Sequence, residues 1–223
     1  MCGRFTLATP AESIGTLFPG LTFPDAKARY NIAPTQSVAC VRHDADGNQE
    51  LAMLRWGLVP SWSKDLKMGA RMINARCETV ASKPAYRAAF KRRRCLVLAD
   101  GYIEWKKMPD GKQPFHITIN SEETAFAMAG LWESWTDKDK NSVVESFTII
   151  TTDSTASLNG IHDRMPVILD RCQYDFWLDQ DFNDKTRLES MLQPVADGVL
   201  AARPISRFVN NVRNDDPSCL ESV

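Results

Sequence analysis

A chain that mixes many short strands with a few short helices around one substantial core is what this sequence predicts, on three observations. At 223 residues and 43% hydrophobic it is long enough to bury such a core, and its length allows one or two domains. Several short segments are uniformly apolar or alternate apolar with polar residues, as buried and half-buried strands do. The helical patterns between them are short, and no internal repeat or low-complexity linker divides the chain.

Taken in order, Thr9-Pro10-Ala11-Glu12 reads as a capping box with proline at the first helical position, and Ile14, Leu17 and Phe18 follow on one face. This helix should end near Pro19-Gly20. In Tyr30-Asn31-Ile32-Ala33-Pro34 the residue before the proline is pushed towards an extended conformation. Strands are predicted over 37–42 and 51–58, joined by the turn Asp44-Ala45-Asp46-Gly47-Asn48. Arg55-Trp56-Gly57-Leu58-Val59-Pro60-Ser61-Trp62 sets two tryptophans around a turn. Trp56 is placed in the core and Trp62 on the surface, where a flat ring beside a basic stretch can stack an unpaired base.

Within Ile73-Asn74-Ala75-Arg76-Cys77-Glu78-Thr79 the polar residues Asn74, Arg76 and Glu78 alternate, and an extended segment would turn all three to one side of a pocket. A helix over 82–90 turns Tyr86 and Phe90 inward and lines up Lys83, Arg87, Lys91 and Arg94 as a basic ridge. Residues 95–105 read as an apolar strand that breaks at Gly101 and resumes. Glu104 is thereby embedded among Tyr102, Ile103 and Trp105, either paired with an arginine or raised in pKa and fit for proton transfer. The turn Met108-Pro109-Asp110-Gly111 precedes strands near 115–119, 124–132 and 145–152. Thr151-Thr152-Asp153-Ser154 ends the last of these and caps a short helix through Leu158. Of the three histidines, His162 is the best placed for proton transfer, in a loop before the strand 167–169, since His43 reads as a turn residue and His116 as a strand residue. Helices over 172–179 and 184–193 follow, and 209–221 should be irregular.

The first residues carry the most distinctive chemistry. Removal of Met1 would leave Cys2 with a free α-amine and a thiol on adjacent carbons. The amine, of ordinary pKa about 7.7–8.0, can condense with an aldehyde to an imine, and the thiol can then close a five-membered thiazolidine. No internal cysteine has that option, because its nitrogen is an amide. Charge is segregated: between Lys64 and Arg94 ten basic residues face two acidic ones, although the whole chain carries −1. Such a distribution suits a protein that holds a polyanion on one face. The six cysteines are scattered without any C-x-x-C pair, which argues against zinc and against a disulfide framework. No cofactor is called for. Without a long apolar run or an N-terminal leader pattern the expected location is the cytoplasm.

Cys2-Gly3-Arg4-Phe5, Tyr30-Asn31-Ile32-Ala33-Pro34, Trp56-Gly57-Leu58-Val59-Pro60-Ser61-Trp62, Asn74-Ala75-Arg76 with Glu78-Thr79, Asp100-Gly101-Tyr102 with Glu104-Trp105, and Ile161-His162-Asp163-Arg164-Met165-Pro166 together resemble the signatures of the SOS response-associated peptidase family, the abasic-site processing proteins. The resemblance runs from about residue 2 to 216, as one domain over 1–223. It implies an α+β fold of curved antiparallel sheets forming a barrel-like core with flanking helices. It further implies a DNA damage response protein, acting as a monomer on single-stranded DNA containing an abasic site, at junctions with duplex included, and associated with the nucleoid when bound. Cys2, freed of Met1, would join the ring-opened sugar as a thiazolidine DNA–protein crosslink. Asn74 would hold the α-amine and the sugar, Glu104 would move protons during imine formation, and His162 would assist ring opening and reversal. Arg4, Arg76 and Arg164 would grip flanking phosphates, Trp62 and Trp105 would support bases, and Gly3, Pro34 and Thr151 complete the implied DNA-contacting set. Lyase activity and self-catalysed loss of Met1 are further implied activities. Ile103 and Cys77 depart from the family pattern, where an aromatic and a small residue are usual. Two other readings stay open on the residues alone: a peptidase or amidohydrolase that uses the terminal cysteine, and a non-catalytic module for single-stranded DNA.

Overall fold

The computed structural model describes residues 2–24, 27–121, 125–139 and 141–223; Met1, and residue 124 of the strand expected over 124–132, lie outside them. Among the described residues the strands are β1 (Arg4–Leu7), β2 (Arg29–Ile32), β3 (Ser37–His43), β4 (Gln49–Trp56), β5 (Asn74–Arg76), β6 (Arg94–Ala99), β7 (Gly101–Met108), β8 (Gly111–Ile119), β9 (Phe126–Asp137), β10 (Ser142–Asp153), β11 (Arg164–Pro166), β12 (Ile168–Leu169) and β13 (Leu200–Pro204). The helices are short: α1 (Ala11–Gly15), α2 (Cys77–Val80), α3 (Arg87–Arg92), α4 (Tyr174–Leu178) and α5 (Lys185–Ser190). No helix among the described residues is long and apolar enough to cross a membrane.

Two sheets organise these elements. One is antiparallel, in the order β13-β8-β7-β1-β2; the other runs β11-β10-β4-β3-β6-β9-β12 with β5 beside β10. Because β9 also pairs with β10, strands β4, β3, β6, β9 and β10 close into a five-stranded barrel, in which β10 runs parallel to β4. This is the α+β architecture of curved sheets, barrel-like core and flanking helices that the resemblance implied. Side chains alternate along each strand, so the barrel feeds two cores. Val41, Leu96, Leu98 and Ala127 pack with Phe90, Tyr174 and Trp177 from the helices. Cys40, Val97, Met128 and Phe147 pack with Phe5, Tyr102 and Ile117 of the five-stranded sheet, and Cys2 belongs to this second core. Ile103, one residue on from Tyr102, takes the opposite face of the sheet with Ile205, Val209 and Cys219.

The break expected near Gly101 is where the chain leaves the barrel for the five-stranded sheet. Asp100 fastens that crossing, its carboxylate accepting from Thr6 Oγ1 and Ala8 N at 2.5 Å and from Thr9 N at 2.7 Å. Thr9 is therefore turned towards Asp100, and α1 starts after Pro10 without a side-chain cap, so the expected capping box does not form. Residues 156–160 make turns instead of the expected helix, and the helices predicted over 82–90, 172–179 and 184–193 appear as the shorter α3, α4 and α5. Glu78 lies in α2, not in an extended run with Asn74 and Arg76. The basic ridge loses Arg94, which is 2% exposed. Its guanidinium donates to the carbonyls of Phe90, Lys91, Trp177, Asp179 and Phe182, tying β6 to α3 and α4.

Gly57 ends β4 with φ +116°, and a Cβ there would fall 2.5 Å from the Gly69 carbonyl oxygen. Both the left-handed conformation and the backbone contact demand glycine. Gly57→Ala should lower stability by about 2 kcal/mol or more, read as a fall in the denaturant midpoint at unchanged slope. An unchanged midpoint would show that the loop carrying Trp62 can shift away from Gly69 at no cost.

Candidate active site and nucleic-acid interface

Pairing of β1 with β7 brings the start of the chain to Glu104. The register sets Arg4 against Ile103 and Phe5 against Tyr102, which carries Gly3 alongside Glu104. Cys2 is fully buried, and its backbone is held from β5: Asn74 Nδ2 donates to the Cys2 carbonyl at 2.8 Å. Asn74 is fixed in turn by the Tyr86 hydroxyl, which donates to its backbone oxygen at 3.3 Å, and Asn74 Oδ1 is buried with no hydrogen-bond partner among the described residues. Burial pushes the Cys2 thiol well above the ordinary thiol range, with the neighbouring Glu104 carboxyl adding to the effect. Glu104 is 3% exposed, and burial raises its pKa to about 7, so near neutral pH it can both give and take a proton.

His162 completes the group. Its Nδ1 accepts from the Arg164 backbone N–H at 3.0 Å. Burial lowers its pKa, against the pull of the Asp163 carboxylate 2.8 Å from the same nitrogen. Glu104 and His162 open on a cleft of about 490 Å3 whose walls include Gly3, Arg4 and Trp105, together with Lys112 and Asn210.

The three predicted phosphate-gripping arginines differ. Arg4 is half-buried and bonded to uncharged acceptors, Asn31 Oδ1 at 2.6 Å and the Val209 carbonyl at 2.9 Å, so its charge is held in place without being neutralised. It lies 5.7 Å from the centre of the Trp105 ring, whose Nε1 donates to Asn210. Arg76 is exposed at the end of β5. Arg164 is held differently: only 8% of its side chain is exposed, and its guanidinium donates to Glu78 and Asp153 and to the Thr151 carbonyl. Two carboxylates offset its charge, and the group ties β10 to α2. Thr151 is fully buried with its hydroxyl on the Ala75 carbonyl. Trp56 is in the core with Nε1 on the Ile73 carbonyl, whereas Trp62 is 59% exposed. Pro34 is partly exposed beside Thr35, a residue at φ +74°.

A family model described as SOS response associated peptidase (SRAP) matches residues 1–212. The chain belongs to this family. It is 40% identical over 226 residues to the abasic site processing protein YoqW of Bacillus subtilis (strain 168), covering 100% of both chains. It is 35% identical over 222 residues to the abasic site processing protein HMCES of Xenopus tropicalis, covering 87% of this chain and 66% of that protein. Among solved structures, a crystal structure of a protein from Bacteroides thetaiotaomicron superposes with a TM-score of 0.88 at 26% identity, each chain covered in full.

Sequence reasoning missed three residues that complete this SRAP cleft. Lys112 and Asn210 line it from the β7–β8 hairpin and from a turn near the end of the chain, and neither stands in a local pattern that announces it. Asn31 lay inside a recognised motif but received no role. It is fully buried, accepts from Arg4, and donates to the carbonyls of Val209, Asn211 and Asn214. Its amide locks the C-terminal segment over the sheet face that presents Arg4 and Trp105.

Proposed function

We propose that this protein processes abasic sites in single-stranded DNA, at junctions with duplex included, by linking its own N-terminal cysteine to the lesion. The observation that carries this reading is the convergence of the Cys2 backbone, Asn74 and a buried Glu104 of pKa about 7. After loss of Met1 the Cys2 amine nitrogen attacks the aldehyde carbon of the open sugar. Protonated Glu104 gives the proton that lets water leave, and an imine remains. The thiol then adds across the C=N bond: sulfur bonds to carbon, the π electrons pass to nitrogen, and the S–H proton ends on nitrogen. His162 can pass a proton to the sugar oxygen as the ring opens. Arg4 binds a flanking phosphate, and Lys112 offers a second cation at the same cleft.

A thiol raised in pKa by burial is poorly set up as the thiolate nucleophile of a peptidase, whereas an imine carbon takes sulfur as the proton leaves. Mature protein mixed with single-stranded DNA carrying one abasic site should give a heat-stable adduct whose intact mass is the sum of the two less one water. Protein that shifts the DNA and gives no adduct would reduce the function to binding. Trp62→Ala should weaken binding to undamaged single strands by about fivefold to a hundredfold, with the melting temperature unchanged, as expected for one stacked base. Equal fluorescence anisotropy titrations of variant and wild type would remove Trp62 from the interface.

A further inference from the structure

Tyr102 is 1% exposed, yet its hydroxyl finds no hydrogen-bond partner among the described residues. The other buried phenols are used, Tyr86 on the Asn74 carbonyl and Tyr174 by the Ala127 N–H. A buried tyrosine normally brings its O–H to a partner, and one that does not lowers the stability of the fold, a cost that is kept where the group serves another purpose. Its surroundings indicate that purpose. Tyr102 stands opposite Phe5 in the β1–β7 register, on the same face of β7 as Glu104, and in the same core as Cys2. Burial, and after it the Cys2 sulfur and the Glu104 carboxyl, hold its pKa well above the ordinary phenol range, so it stays a neutral donor.

We propose that Tyr102 is a positioning residue for ring closure, its O–H steadying the Cys2 sulfur while that sulfur adds to the imine carbon. This rests on the crosslinking reading and specifies which of its two steps the tyrosine serves. Sulfur gains negative charge as its proton passes to the imine nitrogen, and a hydrogen bond from the phenol is strongest at that moment. Tyr102 keeps its own proton throughout.

The test is Tyr102→Phe, which removes one oxygen and leaves the packing. Two rates are followed on abasic single-stranded DNA: imine formation, trapped with borohydride, and formation of the heat-stable adduct without reductant. The expected result is an imine rate close to wild type and a ring-closing rate lower by about tenfold to a hundredfold, with its pH profile displaced to higher pH because the thiol is harder to ionise. The melting temperature should be equal to or above that of wild type. Unchanged ring closure, an equal fall in both rates, or a lower melting temperature would overturn the proposal. If the wild type itself gives an imine but no heat-stable adduct, or neither, the crosslinking reading fails and this role with it.

Discussion

Cys2→Ala should abolish the heat-stable adduct while leaving a borohydride-trapped one. Alanine at position 2 keeps a small residue after Met1, so a free amine in the same place can still form the imine, but no sulfur is present to close the ring. The two chemical steps are thereby separated on one side chain. Gel analysis after heating, with and without reductant, reads both. A retained Met1 should remove the heat-stable product, because the Cys2 nitrogen becomes an amide and the amine of Met1 has no thiol beside it to close the ring. A heat-stable adduct that persists in Cys2→Ala would place the link elsewhere and refute the thiazolidine.

Glu104→Gln should slow adduct formation by about a hundredfold to ten-thousandfold, and the inflection near pH 7 in the rate profile should disappear. The same substitution should stabilise the protein in alkali. The carboxyl rises from 4.5 in the unfolded chain to about 7 in the fold, so the folded state binds the extra proton between those values and stability falls as pH rises through that window. Above it the buried carboxylate costs roughly 3 kcal/mol, which glutamine avoids. Melting temperatures at pH 8 should therefore favour Glu104→Gln, and the gap should narrow towards pH 4.5. A variant less stable than wild type at pH 8 would make Glu104 a structural ion-pair partner, the other role its sequence context allowed.

Much of this site could be read from local sequence because its chemistry is local. An aminothiol at the chain start and a carboxyl inside an apolar strand are visible one at a time, and the apolar runs of β3, β4, β6, β9 and β10 announced the barrel strands. Strands β1 and β2 were harder, since Arg4, Arg29 and Asn31 break their patterns. Those polar groups are satisfied from the other end of the chain, Arg29 by Asp215 at 2.5 Å and Asn31 by three C-terminal carbonyls. Arg94 was misplaced for a related reason. Its spacing fits a helical ridge, but five carbonyls converge on it only once α4 is packed against β6. The burial of Thr151 and Arg164 had no local sign in the sequence, because it depends on partners from β5 and α2.

The lock that Asn31 forms has a bearing on when the protein becomes reactive. β1 leaves the ribosome first, yet its neighbour β7 is made about a hundred residues later, and the carbonyls that hold Arg4 and Asn31 belong to Val209, Asn211 and Asn214. The brace on Arg4 and Asn31 can therefore close only after Asn214 has been made, so the cleft beside the chain start is completed late in synthesis.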